Sequence, residues 1–181
     1  MKFFKHILKK KYQLSNYQIA QLTFLFKTLF SEFSKILIMG IIFYKNFPLY
    51  IFALIIMLIL RCSTGGIHFY TYTNCFIASL AFLILAVIVF PKISLPLYIQ
   101  IFLLIICILI CHSIGPIPSK YRPAYTDHFE QKCKVTISIF IFFYVLFLYI
   151  IPNSKYSITG FWIIILHSLQ LILAKYIRKE I

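Results

Sequence analysis

The chain is 181 residues long, 62% hydrophobic and only 12% charged, with a formal net charge of +14. A water-soluble domain is about half apolar and about one quarter charged, so this balance excludes one. The apolar residues also stand in long runs, which a bilayer requires and a soluble core cannot use.

In chain order, Phe3, Phe4, Ile7 and Leu8 fall on one helical face, against Lys2, Lys5, Lys9, Lys10 and Lys11. The pattern predicts a basic amphipathic helix over 1–17, lying on an anionic membrane surface. No uninterrupted apolar stretch with a small-residue cleavage site follows these lysines, so the segment is expected to be retained rather than removed as a signal peptide. Ser15-x-x-Gln18 then reads as a capping box opening the next helix.

That helix, predicted as a span near 19–44, carries Lys27, Glu32 and Lys35. Glu32 and Lys35 stand at i,i+3 and are able to pair. Each charge near a bilayer centre costs about 2.5–3.5 kcal/mol, so this is the least apolar crossing. Phe47–Leu60 is a short uncharged run that borrows flanking residues for a span near 46–62. Phe76–Phe90, Leu97–Gly115, Val135–Ile151 and Ile158–Ala174 contain no Asp, Glu, Lys or Arg and predict spans near 74–90, 96–115, 135–151 and 157–174. The expected fold is therefore all-α: a single polytopic membrane domain over 1–181, with six helices behind an interfacial N-terminal segment.

With six spans the connections alternate sides, and the lysines and arginines divide thirteen to three. The richer set comprises the N-terminus, Arg61, the 116–134 loop and the C-terminus. The poorer set is Lys45, Lys92 and Lys155. The positive-inside rule then puts both termini and the Arg61–Cys75 stretch in the cytoplasm. Without a crossing at 19–44 the five N-terminal lysines would face outward. Because the basic residues lie at membrane edges, anionic lipid is the expected partner and nucleic acid is not. Cytoplasmic thiols stay reduced, so the five cysteines predict no disulfide framework.

The stretch from Arg61 to Cys75 interrupts two apolar runs. His68 and Cys75 are seven apart, so on a continuous helix they share a face. Gly65-Gly66 predicts irregular backbone just before His68, with N–H groups able to meet a substrate. These are the parts of a cysteine nucleophile site. An imidazole takes the thiol's proton or holds the thiolate, backbone N–H donors stabilise the developing oxyanion, and Arg61 holds a carboxylate or adds positive field. The same residues also fit a packed cysteine, a membrane-edge arginine and a plain loop.

Zinc is the rival chemistry, because Cys62, His68, Cys75, Cys107, Cys111 and His112 are ligand types. None forms a C-x₂-C pair and no H-E-x-x-H helix is present, so neither metal nor cofactor is expected. Cys107 and Cys111 read as core. The chain has four acids in all, Glu32, Asp127, Glu130 and Glu180. A carboxylate orienting His68 would have to be Asp127 or Glu130, reaching across space; a backbone carbonyl or Asn74 is the alternative.

Arg61-x₃-Gly65-Gly66-x-His68-x₆-Cys75-x₃-Ser79 resembles the signature of the accessory gene regulator protein B (AgrB) family, the quorum-sensing membrane cysteine endopeptidases of Gram-positive bacteria. Pro116-Ile117-Pro118-Ser119-Lys120-Tyr121-Arg122-Pro123 is similar to that family's basic cytoplasmic loop. Tyr72, and Pro118 in place of an acid, depart from the pattern.

The resemblance implies a peptidase at the inner face of a bacterial cell membrane. Cys75 would attack the scissile carbonyl of a short precursor peptide, assisted by His68, with Arg61, Gly65 and Gly66 in supporting roles. Lys120 and Arg122 would touch substrate. A Cys or Ser of the precursor would then displace Cys75 from the acyl-enzyme thioester, closing a thiolactone or lactone. The resemblance also implies a homodimer. The competing function is a transporter or peptide-export component without covalent chemistry, which would call on polar residues inside the spans, His167 and Gln170.

Overall fold

A computed structural model describes residues 15–66, 71–117 and 125–179, and among these every regular element is helical. The amphipathic helix predicted over 1–17 lies, but for its last three residues, outside the described residues. The chain divides after Ile42 into two units.

The first unit is described as one helix, α1 (Asn16–Ile42). The capping box forms as expected. Ser15 N–H donates to Gln18 Oε1 at 2.9 Å, and the Ser15 hydroxyl accepts from Gln18 N–H at 3.2 Å, so two otherwise orphaned donors are satisfied reciprocally. The expected Glu32–Lys35 pair also closes, at 2.6 Å, which lowers the cost of carrying both charges in an apolar helix.

Among the described residues five helices are long and apolar enough to cross a membrane, all in the second unit, and α1, predicted as a sixth span near 19–44, is not one of them. The five are Tyr44–Thr64, Tyr72–Lys92, Leu97–Ile114, Asp127–Ile150 and Lys155–Ile177. Their α-helical parts are α2 (Phe47–Thr64), α3 (Tyr72–Ile84), α4 (Leu97–Ile114), α5 (Asp127–Ile150) and α6 (Lys155–Lys179). A 3₁₀ turn at Tyr44–Asn46 leads into α2; a π turn at Leu85–Val89 and a 3₁₀ turn at Phe90–Lys92 extend α3. At 18 to 24 residues these stretches exceed most of the uncharged runs. A rise of about 1.5 Å per residue lets them match a hydrocarbon layer of about 30 Å. The largest difference from the sequence reading is α5, which starts eight residues before Val135. Thr126 caps it, its hydroxyl accepting from Phe129 N–H at 3.4 Å, so two charged turns precede the apolar part.

Side-chain contacts fix the helix directions. Phe52 lies edge-on to Tyr156 with centroids 5.4 Å apart, and twelve residues later Thr64 meets His167, so α2 and α6 run parallel. Cys111 meets Ser168 at 3.6 Å, which sets α4 in the same sense. Phe90 packs on Trp162, and Tyr144 donates to Ser157 O at 2.7 Å, so α3 and α5 run the other way. Short connections between successive helices require this alternation. It gathers the ends of α2 and α4 and the starts of α3 and α5 at one end of the bundle, and leaves Lys45, Lys92 and Lys155 at the opposite end.

Helix α6 is the central one. Of its apolar window 61% is buried, against 22–39% for the other four. It also carries the buried polar residues Ser157, Thr159, His167 and Ser168. Polar groups in a membrane bundle face its interior, because lipid offers them no partner.

Candidate active site

Helix α2 ends because Gly65 takes a positive φ of 73°, its N–H returning to Arg61 O at 2.9 Å. Gly66 also has positive φ, at 155°. This is the irregular backbone that the glycine pair predicted. Residues 67–70, with His68 among them, lie outside the described residues. Thr71 follows in an extended conformation (φ −95°, ψ 142°) and caps α3, its hydroxyl accepting from Asn74 N–H at 3.3 Å. A continuous helix from His68 to Cys75 is therefore not formed. The extended backbone at Thr71 breaks it.

Cys75 stands in the first turn of α3, its N–H bonded to Thr71 O at 3.2 Å and its side chain half-buried. It is therefore at the positive end of the helix dipole, where developing negative charge is favoured. Ser79, one turn further along the same face, is buried. Asn74 has an exposed side chain, and its backbone N–H serves the cap.

The two sequence blocks meet. Ile117 N–H donates to Thr64 O at 3.0 Å, and Gly65 and Ile117 form a parallel bridge. The approach is so close that a Cβ on Gly65 would lie 2.7 Å from Ile117 O, which only glycine permits. Pro116 and Ile117, which lead into the basic loop, are thus bonded to the turn that leads to Cys75. Lys120 and Arg122 fall outside the described residues.

Behind this turn lies a polar cluster that the sequence reading did not assign to the site. Thr64 Oγ1 is 2.6 Å from His167 Nε2, with both residues almost wholly buried. The same hydroxyl is 2.8 Å from Leu60 O. With Leu60 O and His167 Nε2 both within reach of this one hydroxyl, the tautomer of the imidazole sets which of them takes its proton. His167 Nδ1 has no hydrogen-bond partner among the described residues, nor has Gln170 Oε1. Gln170, one turn beyond His167, lies against Gly66, with Nε2 3.4 Å from where a Cβ would stand. Arg61, half-buried one turn before Gly65, is within electrostatic reach of His167. The available signal was the i,i+3 pair His167 and Gln170 in an otherwise uncharged span.

Asp127 is exposed in the first turn of α5, and Glu130 is paired with Lys134 at 2.7 Å beside Gly115. Cys107 and Cys111 are buried in α4, whereas His112 is exposed.

A sequence model of the family described as Accessory gene regulator B matches residues 2–172. Over 144 residues the chain is 26% identical to a curated AgrB-like protein of Clostridium beijerinckii, a match covering 77% of this chain and 70% of that one. No solved structure matches.

Proposed function

Since the chain belongs to the accessory gene regulator B family, we propose that it is a membrane cysteine endopeptidase that cuts a quorum-sensing precursor peptide and closes the released part into a ring. Membership supports a role in the accessory gene regulator system and, in general terms, a precursor peptide as substrate. The observation that carries the finer reading is the bonding of Gly65 to Ile117 at the bundle end where Cys75 opens α3. It brings both sequence blocks to one place.

Cys75 Sγ attacks the scissile carbonyl as His68 accepts the thiol proton. The amide nitrogen leaves with that proton, releasing a charged C-terminal tail and leaving the acyl group as a thioester on Cys75. A Cys or Ser of the precursor then attacks the thioester carbonyl. Its proton passes through His68 to the departing Cys75 sulfur, and a thiolactone or lactone closes. Sulfur-for-sulfur exchange conserves most of the bond's free energy, provided water is kept from the thioester. The helix N-terminus below Cys75 suits the oxyanion, whereas the Gly65 N–H, expected there from the sequence, is bonded to Arg61 O. The cytoplasmic placement follows from the lysine and arginine count with α1 as a sixth crossing.

Co-expression with a candidate precursor tests this on a gel. The parent chain shortens the precursor, whereas Cys75→Ala and His68→Ala leave it full length. If both variants process it as well as the parent does, the endopeptidase reading is wrong and a non-covalent export role takes its place.

A further inference from the structure

His167 is 103 residues from Thr64 in sequence, yet its ring bonds the last residue of α2, directly before the glycine turn. A buried imidazole whose Nδ1 has no partner among the described residues is costly to keep. A leucine at this buried site would pack in the bundle interior without that cost. What the histidine does form is a bond to the last residue of α2, and Thr64 O in turn accepts the Ile117 N–H. Gln170 closes the other side by lying on Gly66. The Gly65-Gly66 turn is thus held on three sides: by Ile117, by Thr64–His167 and by Gln170.

We infer that His167 and Gln170 are positioning residues for the active site, bracing the glycine turn on the approach to Cys75. This rests on the endopeptidase reading. It also accounts for the two polar residues that a transport pathway would have called on. Neither touches the scissile bond in this scheme. His167 acts through Thr64, and Gln170 acts through Gly66.

The test uses the full chain in lipid vesicles and iodoacetamide as the probe, with alkylation of each cysteine read by peptide mass spectrometry. The parent labels Cys75 quickly and His68→Ala slowly. Thr64→Val and His167→Leu slow Cys75 labelling by about 10- to 100-fold, the scale expected when a reacting pair is displaced by about 1 Å. Thr64→Ser, which keeps the hydroxyl, restores the parent rate, and the buried Cys107 stays unlabelled in every variant as the sign of an intact bundle. The double variant Thr64→Val/His167→Leu is no slower than the slower single, because both changes break one bond.

The inference is overturned if Thr64→Val and His167→Leu label Cys75 at the parent rate while His68→Ala does not. It is also overturned if Thr64→Ser is as slow as Thr64→Val, or if the double variant shows the product of the two single losses. Equal labelling of parent and His68→Ala would instead sink the endopeptidase reading itself. Should His167→Leu expose Cys107, the Thr64→Val and Thr64→Ser pair decides alone.

Discussion

The two ends of the helical bundle are built from different materials. At one end the connections are short and aromatic. Phe43 stacks on Tyr50, Phe52 meets Tyr156 and Phe147, and Phe90 packs on Trp162. At the other end the connections are irregular, turn on glycines with positive φ, and are held by backbone pairing and a buried Thr–His bond. Aromatic packing tolerates small shifts, because its energy is spread over many weak contacts. A backbone turn held by single hydrogen bonds either keeps its geometry or loses it. Stability is thus expected to reside at the aromatic end and reactivity at the glycine end.

The sharpest way to break this contrast is Gly65→Ala. Its methyl group would lie 2.7 Å from Ile117 O, a backbone atom that has no rotamer to escape through, at a φ of 73°. With a ψ of −140° this backbone conformation belongs almost solely to glycine, and another residue there costs about 1–3 kcal/mol. The bridge to Ile117 opens, and precursor processing in a gel assay falls by about 100-fold, more than the stability loss explains. Gly115→Ala is the control. Its φ of 67° brings the same backbone strain, but the methyl group meets the far end of the Lys134 side chain, which swings aside. The smaller loss of processing there isolates the effect of the clash with Ile117 O.

The opposite end should respond in the opposite currency. Gly160 packs beneath Tyr144, and a Cβ there would overlap the phenol oxygen and lie 2.7 Å from Ile56 Cδ1. Small residues let membrane helices approach this closely. Gly160→Ala is expected to destabilise the bundle by about 1–3 kcal/mol through overpacking, seen as a lower midpoint in thermal unfolding in detergent. Processing per folded molecule stays near the parent's. A large loss of processing with an unchanged midpoint would refute the division of labour between the ends.

What could be read from the sequence follows the range of each interaction. The Ser15–Gln18 capping box and the Glu32–Lys35 pair are three residues long, and both form as residue types and spacing require. The helix ends at Gly65 and Gly115 were legible for the same local reason. The start of α5 was not. Charged residues read as loop in a hydropathy pattern, whereas Thr126 caps a helix that runs on into the aqueous layer. For Cys75 and His68, residue types and spacing raised the chemistry without settling it, and the resemblance made the assignment. The third wall of the site was invisible, because Thr64 and His167 are brought together only by helix packing.

The smallest predicted effect concerns the acids. Glu130 is about two-fifths exposed, is bonded to Lys134 one turn on, and lies beside Gly115. An i,i+4 pair of this kind contributes about 0.3–0.5 kcal/mol, so Glu130→Gln should lower stability by no more than that and processing by less than about twofold. A carboxylate that orients a catalytic imidazole behaves differently, since its loss leaves the base in the wrong tautomer and costs orders of magnitude in rate. A loss of about tenfold or more in Glu130→Gln, with Asp127→Asn at the parent rate, would make Glu130 the third catalytic group. Parent-like rates in both would leave the imidazole to be held by the turn itself, which is the arrangement the Thr64–His167 brace is built to provide.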